Sequence, residues 1–88
     1  MKYSDAFLTD AHKHSIAHRE AVLASAICGC FHCRGTFAPE EIAEWTDGTA
    51  TALCPKCGID SVIGDSSALP VADFDFRNAM RRRWFKNS

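Results

Sequence analysis

The apolar positions of the chain divide it into three segments with different periodicities. In the last segment, Phe76, Met80 and Trp84 recur at every fourth position and form one apolar stripe, which predicts a C-terminal helix with Asp73 as its N-cap. No internal repeat or low-complexity linker separates the segments. The pattern therefore predicts a single domain in three parts, a helical N-terminal segment, a central core and a C-terminal helical segment. Their predicted bounds are 1–26, 27–64 and 65–88.

The N-terminal segment is rich in alanine and contains neither glycine nor proline, which favours helix. It carries two apolar faces that are not in phase with each other. The first face consists of Tyr3, Phe7 and Ala11, and the second of Ile16, Leu23 and Ile27. We therefore expect two short helices or one kinked helix, with Ser15 as the N-cap of a second helix that begins at Ile16.

The central segment alternates short β-type runs with turn signals. Strands are predicted at 27–29, 49–53 and 61–63, the last ended by Gly64, and Thr36 and Phe37 lead out of the first cysteine turn. Between them, Pro39 suits the first position of a short helix, from which Ile42 and Trp45 are expected to face inward. Asp47 and Gly48 predict a turn.

Four cysteines lie in this core as two C-x-x-C pairs with twenty residues between them. The pairs are Cys30–Cys33 and Cys54–Cys57. Two residues between thiolates allow one tight turn to direct both sulfurs at a single metal ion, and the separation of the pairs is typical of a four-cysteine zinc site. Pro55 presets φ in the second turn, Gly58 permits a left-handed backbone after it, and Gly35 is expected to serve similarly in the first. The spacing predicts one structural Zn²⁺.

Composition and charge are consistent with a small domain in a reducing compartment. A chain of 88 residues buries only roughly 60–65% of the surface that its unfolded form exposes, so a structural metal is a common supplement to its core. Five cysteines and no apolar N-terminal region predict a cytoplasmic protein without a signal peptide, and no apolar run approaches a membrane span. The net charge of −1 gives no overall bias toward nucleic acid.

The residues after the second pair decide between zinc folds. A treble clef would open directly into a helix, whereas the run from Ile59 to Ile63 has β character. A zinc ribbon, with both cysteine turns at β-hairpins, fits better. The predicted fold class is therefore α+β, a small zinc-ribbon-like β core with N-terminal and C-terminal helices packed against it.

These motifs also resemble a known family. The chain from Cys28 to Cys33, the Phe37-Ala38-Pro39 and Glu44-Trp45 positions, the run from Thr51 to Gly64 and the Arg83-Trp84-Phe85 end are similar to small bacterial proteins labelled only "cytoplasmic protein", which have a CxxC…CPxCG core and no assigned activity. The resemblance covers most of the chain, and the run from Thr51 to Gly64 is its most specific part. It implies a zinc-ribbon-like protein with the same four cysteines as ligands, although Lys56 stands where an aromatic residue is more usual.

Other side chains allow alternative ligand sets. Cys28 could replace Cys30 as a ligand or form an oxidation-sensitive thiol, but a small buried residue is the commoner role. His32 lies between two ligands and is expected to point outward. A second metal site at His12, His14 and His18 stays open. No glutamate follows His14, so the H-E-x-x-H metalloprotease motif is absent.

The C-terminal helix is basic. Arg77, Arg81, Arg82, Arg83 and Lys86 fall within 77–88, where there is no acidic residue. With Trp84 and Phe85 beside them, these cations could bind nucleic-acid phosphates, but cations near a helix C-terminus are also favoured by the helix dipole.

Three functional classes are compatible with these residues. A closed four-cysteine site leaves no coordination position for a substrate, which favours a non-enzymatic interaction module with a protein partner, or with nucleic acid through the arginines. A thiol–disulfide oxidoreductase or redox sensor using one C-x-x-C pair is the alternative, although the sequence lacks the βαβ pattern of that motif. A metal-dependent nuclease would need further ligands, and the insert from Arg34 to Leu53 contains no histidine.

Overall fold

The structure is a computed structural model, and it describes residues 2–85. These residues form three α-helices, five short β-strands and three single 3₁₀ turns. The helices are α1 (Asp5–His12), α2 (Arg19–Leu23) and α3 (Phe74–Trp84). The strands are β1 (Cys28–Cys30), β2 (Thr36–Phe37), β3 (Trp45–Thr46), β4 (Thr51–Ala52) and β5 (Val62–Gly64). The 3₁₀ turns are Lys13–Ser15, Pro39–Glu41 and Asp65–Ser67.

The strands form two antiparallel sheets. One has the order β2-β1-β5, with Cys28 opposite both Phe37 and Gly64, and the other pairs β3 with β4. The predicted α+β fold class and its zinc-ribbon-like centre are confirmed. The predicted turn at Asp47 and Gly48 is present, with both residues at positive φ, and it connects β3 to β4.

The three-stranded sheet separates two hydrophobic cores. Adjacent residues of a strand point to opposite faces, so Val62 and Ile63 enter different cores. The core on the cysteine side consists of Val22, Cys28, Cys30, Phe37, Ile42, Ala52, Cys54 and Val62. The core on the helix side consists of Leu8, Ala11, Phe31, Ile63, Val71, Phe76 and Met80. Each core is small, and the first contains two of the four paired cysteines, Cys30 and Cys54.

Helix α3 follows the sequence prediction closely. Asp73 caps it by accepting from the Asp75 N–H at 3.0 Å, and Phe76 and Met80 are fully buried while Trp84 packs at the margin of the same core. Burial of side chains of this size stabilises by about 1.5–3 kcal/mol each. The helix ends at Trp84, and the last predicted residues, 86–88 including Lys86, lie outside the described residues, as does Met1.

The N-terminal segment forms two short helices, but their predicted cap was wrong. Ser15 ends a 3₁₀ turn and donates to the His12 carbonyl, and α2 begins only at Arg19. The interruption has a backbone cause, because Ala17 adopts φ 49°, outside the right-handed helical region. The N-cap that the prediction missed is Ser4, which accepts from the Phe7 N–H of α1.

Three other local predictions also need correction. Ile16 and Leu23 are more than half exposed, and Val22 is the residue of α2 that enters the core. The helix predicted at Pro39 is a single 3₁₀ turn, since the chain is already extended at Ile42. Trp45 therefore lies in β3, half-buried, with the Arg19 guanidinium 4.5 Å from its ring centroid.

Candidate metal centre

The first pair of cysteines lies on a tight turn at the end of β1, which we call the first knuckle (residues 30–35). The turn is closed by a hydrogen bond from the Cys30 N–H to the Gly35 carbonyl at 3.0 Å. The sequence suggested Gly35 as the left-handed residue of this turn. The left-handed residue is instead Arg34, which adopts φ 65°. Gly35 instead lies close to the side chain of Lys56, because a Cβ at this position would lie 2.8 Å from Lys56 Cδ and 3.5 Å from Cys33 Sγ.

The second knuckle (residues 54–59) repeats this backbone. The Cys54 N–H donates to the Ile59 carbonyl at 2.9 Å, and Gly58 is left-handed at φ 78° as predicted. Arg34 and Gly58 are both four residues after the first cysteine of their pair. This knuckle joins β4 to β5, and so it links the two sheets.

Main-chain N–H groups point at the sulfurs in the same way in both knuckles. The His32 N–H lies 3.3 Å from Cys30 Sγ, and the Lys56 N–H lies 3.3 Å from Cys54 Sγ. The N–H two residues after each second cysteine bonds its sulfur as well, from Gly35 and from Ile59. Donors aimed at sulfur favour the thiolate, which is the form that binds metals.

The two knuckles face each other and bring four sulfurs into one cluster. All four Sγ atoms lie within 4.8 Å of one another. Two contacts join the knuckles, Cys30 to Cys57 at 3.6 Å and Cys33 to Cys54 at 3.8 Å. Four sulfurs about 2.3 Å from a tetrahedral ion would lie about 3.8 Å apart, so the spacing fits a metal ion. All five cysteines of the chain are free, and no disulfide forms.

Burial and hydrogen bonding set different proton affinities at these thiols. Burial raises the pKa of Cys54 and of Cys57. Burial acts in the same direction at Cys33, but hydrogen bonds from the Gly35 N–H and the neighbouring thiols outweigh it and lower the pKa of that thiol. Cys33 is also exposed, so it is the thiolate most readily offered to an incoming ion. Cys30 is fully buried, and the Ser61 hydroxyl lies 3.1 Å from its sulfur.

The alternative ligands of this region are placed outside the cluster. Cys28 is fully buried in the core on the cysteine side, and burial, with Asp65 and Glu40 adding to it, raises its pKa to about 11. That makes Cys28 an unreactive thiol, in agreement with the commoner role. The ring of His32 packs edge-on against Phe85 at 4.7 Å between centroids and does not join the sulfurs.

The three histidines of the N-terminal segment do not converge. His12 packs its ring against Trp84 at 4.1 Å, and His14 is exposed. His18 is buried, with Nδ1 2.7 Å from the His14 carbonyl and Nε2 accepting the Ala52 N–H at 3.0 Å. Both ring nitrogens of His18 are therefore occupied, and burial lowers its pKa, which keeps it neutral. Within residues 2–85, the cysteine cluster is the one His, Cys, Asp and Glu group suited to a metal ion.

Two arginines of the predicted nucleic-acid patch bind the first knuckle instead of facing solvent. Arg77 is 9% exposed, and its Nε donates to the Arg34 carbonyl at 2.8 Å while a terminal nitrogen donates to the Val71 carbonyl at 2.9 Å. Arg81 donates to the His32 carbonyl. Arg82 is exposed, and the Arg83 guanidinium lies over the Trp84 ring. Of the four arginines of α3, Arg82 is therefore the exposed one, and Arg83 is half-buried.

Sequence reasoning missed the residues that support the knuckles. Arg77 and Arg81 are one helical turn apart and so share a face of α3, a spacing that predicts a common contact surface. Nothing in the sequence shows that this surface is the first knuckle, because the contact joins residues more than forty positions apart. The same is true of His18 and β4.

No family model, no curated protein and no solved structure matches this chain. None of the helices in residues 2–85 has the length and apolar character needed to cross a membrane. The function is therefore inferred from the site and its surroundings.

Proposed function

We propose that this protein is a non-enzymatic zinc-binding protein in which Cys30, Cys33, Cys54 and Cys57 hold one structural Zn²⁺, and that it acts as a cytoplasmic interaction module with a protein partner. The observation that supports the proposal most directly is the approach of four sulfurs from two facing knuckles. A tetrahedral set of four sulfur ligands suits zinc or iron. Zinc is favoured because a closed four-thiolate site in a domain of this size is typical of structural zinc.

The structural role follows from the composition of the core. Four thiolates fill every position around a tetrahedral ion, so a bound ion would have no place for water or substrate. The same cysteines supply part of one of the two small cores. Metal binding on the order of 10–16 kcal/mol in small peptides is comparable with the folding stability of a typical domain, so the ion would decide whether the centre folds.

The surroundings of the pairs give less support to the oxidoreductase alternative. A redox C-x-x-C motif places its first cysteine at the N-terminus of a helix, which lowers the pKa of that thiol. The second knuckle leads into β5, and the first leads into β2. The sulfurs of one pair also lie 3.6 and 3.8 Å from those of the other, whereas a redox dithiol needs only one pair.

A protein partner is supported by the exposed apolar side chains. Phe7, Ile16, Leu23 and Phe74 are between 38% and 53% exposed. Phe7 stacks on Tyr3 at 5.5 Å between ring centroids, which gives an aromatic surface at the start of α1. Large exposed apolar side chains are typical of interaction surfaces when they are grouped.

Native mass spectrometry of protein purified without added metal or chelator tests the zinc site. We expect one bound zinc, no disulfide, and no alkylation of the buried Cys28 thiol while the protein is folded. Protein without metal and with a disulfide inside either pair would overturn the proposal in favour of redox chemistry. Bound iron would correct the identity of the ion and keep its structural role.

Salt-dependent binding to single-stranded oligonucleotides tests the nucleic-acid alternative. The variant pair Arg82→Ala with Arg83→Ala suits this purpose, because replacing Arg81 would also disturb the first knuckle. The protein-partner proposal expects weak binding that the two substitutions change little. Tight binding that falls by tenfold or more in the variant would establish the nucleic-acid function instead.

A further inference from the structure

Helix α3 approaches the first knuckle through a set of polar contacts that its apolar stripe does not explain. Arg77 donates to the Arg34 carbonyl, Arg81 donates to the His32 carbonyl, and Asn78 accepts from the Arg34 guanidinium at 3.0 Å. Arg77 and Arg81 lie one helical turn apart and hold two main-chain carbonyls, one between the two cysteines of the first knuckle and one just after them. Asn78 holds the side chain of Arg34.

The two arginines have no carboxylate partner. Within residues 2–85, every ion pair involves Lys2 or Lys13, and none involves Arg77 or Arg81. Arg77 is nonetheless almost fully buried, with its Cδ packed so closely on β1 that a Cβ at Gly29 would lie 2.9 Å away. A buried guanidinium without an opposite charge is costly, and such groups are normally paired.

The missing opposite charge is available at the cysteine cluster. Four thiolates around a divalent ion carry a formal charge of −2, and the knuckle to which both arginines bind provides two of those thiolates. Two guanidinium groups would balance that charge. Groups that orient the ligands of a metal typically change its affinity by about 10- to 100-fold when they are removed.

We infer that Arg77 and Arg81 are positioning residues of the metal centre, which couple metal binding to the docking of α3 on the first knuckle. This inference rests on the proposed four-cysteine metal site. The coupling is reciprocal, since a metal ion that binds more tightly when α3 is docked must also favour the docked helix. Loss of the ion then weakens the hold of α3 on the knuckle and exposes residues of its apolar stripe.

Substitutions at two adjacent residues of α3 test the inference. Arg81→Gln removes the charge and keeps a hydrogen-bond donor, Arg81→Lys keeps the charge, and Arg82→Gln makes the same charge change at an exposed residue. Zinc affinity is measured for each by competition with a chromogenic chelator. We expect about 10-fold or greater weakening for Arg81→Gln, substantial recovery in Arg81→Lys, and affinity within about 2-fold of the parent for Arg82→Gln.

These variants separate charge from packing. If Arg81→Lys binds zinc no better than Arg81→Gln, the charge at this position does not matter, and if Arg81→Gln equals Arg82→Gln, the effect is only one of net charge. Either result would overturn the inference while the zinc site itself remains. A parent protein that binds no zinc would instead refute the proposed function.

Hydrogen exchange of α3 provides the reciprocal measurement. In the intact parent protein, addition of a chelator is expected to reduce the protection of amides in the last two turns of α3, and re-addition of Zn²⁺ is expected to restore it. Unchanged protection there, with the ion shown to be removed, would contradict the coupling.

Discussion

The two knuckles have the same backbone and different surroundings. The comparison shows which features follow from the cysteine spacing and which depend on distant residues. Each closes with a hydrogen bond from its first cysteine to a carbonyl five residues later, and each has a left-handed residue at the same position. The first knuckle is covered by α3 and its arginines. The second borders a polar groove lined by Glu41, Glu44 and Lys56. The spacing of the cysteines sets the sulfur geometry, whereas distant residues set the charge and access around it.

The side chains that support the knuckles differ in chemistry too. Arg77 and Arg81 donate to main-chain carbonyls of the first knuckle. The strand that enters the second knuckle, β4, is held by His18, which accepts the Ala52 N–H only while that nitrogen is unprotonated. The support of the second knuckle is thus sensitive to pH.

The largest expected effect tests whether the two knuckles are equally necessary. Cys30→Ser and Cys54→Ser each remove one buried ligand, and we expect both to abolish stoichiometric zinc binding and to lower the free energy of unfolding by several kcal/mol, on the order of the stability of the whole domain. Metal analysis and chemical denaturation measure this. Cys28→Ser, which changes a buried non-ligand, serves as the control and should retain one zinc. Full zinc retention in either ligand variant would show that the three remaining sulfurs suffice.

The next prediction compares two glycines, Gly29 against Arg77 of α3 and Gly35 against Lys56. A Cβ at Gly29 would lie 3.0 Å from the Val71 carbonyl oxygen as well as against Arg77, so Gly29→Ala must move backbone and is expected to cost about 2 kcal/mol. At Gly35 the closest atom is Cδ of Lys56, an exposed and flexible side chain, so Gly35→Ala should cost less than about 1 kcal/mol. Thermal or chemical denaturation of the two variants decides the order. If Gly35→Ala is the less stable variant, α3 moves to accommodate a Cβ more easily than the Lys56 side chain does.

A smaller effect isolates the left-handed position that the knuckles share. A Cβ at Gly58 would meet no atom within 4 Å, so Gly58→Ala tests backbone conformation alone, and we expect it to destabilise by about 1 kcal/mol. Arg34→Gly relieves the same conformation in the first knuckle but removes the bond to Asn78, so its net change should be close to zero. A Gly58→Ala variant as stable as the parent would show that the second knuckle tolerates the strain that Arg34 accepts.

The smallest expected effect is the pH dependence that comes from His18. Burial lowers its pKa in the folded protein, so the unfolded chain binds a proton first as the solution is acidified. The stability from neutral His18 is complete above about pH 6.5, the ordinary pKa of histidine, and is lost as the pH falls through the lower folded value. Denaturation of the parent and of His18→Gln between pH 7.5 and 5.5 should show a shallower loss of stability in the variant.

The matched substitution for this comparison is His14→Gln. His14 is exposed, and the bond to His18 uses its main-chain carbonyl, which the substitution keeps. Its pH profile should therefore follow that of the parent. Release of the metal by acid affects all three proteins alike, so it does not distinguish them. If His14→Gln and His18→Gln have the same profile, the pH dependence arises elsewhere, at the thiolates for example.

Local patterns predicted the parts of the fold that depend on local chemistry. The stripe of Phe76 and Met80 identified α3, and Asp73 was recognised as its cap because an N-cap needs only a short polar side chain at one position. The N-terminal helices were harder. Alanine-rich sequence indicated helix, but it did not reveal that Ala17 interrupts it or that Val22, rather than Leu23, is buried.

The sequence by itself determined the four cysteines, the left-handed Gly58 of the second knuckle and the α+β class, because these follow from spacing within a few residues and from hydrophobic periodicity. Only the tertiary structure decided what the helices do. It placed Arg77 and Arg81 on the first knuckle, His18 on β4, and Arg34 at a left-handed position that glycine would occupy more easily. The physical reason is that hydrogen bonds between distant segments leave no periodic signal in a chain, since a donor and a carbonyl acceptor can pair at any separation once the cores bring them together.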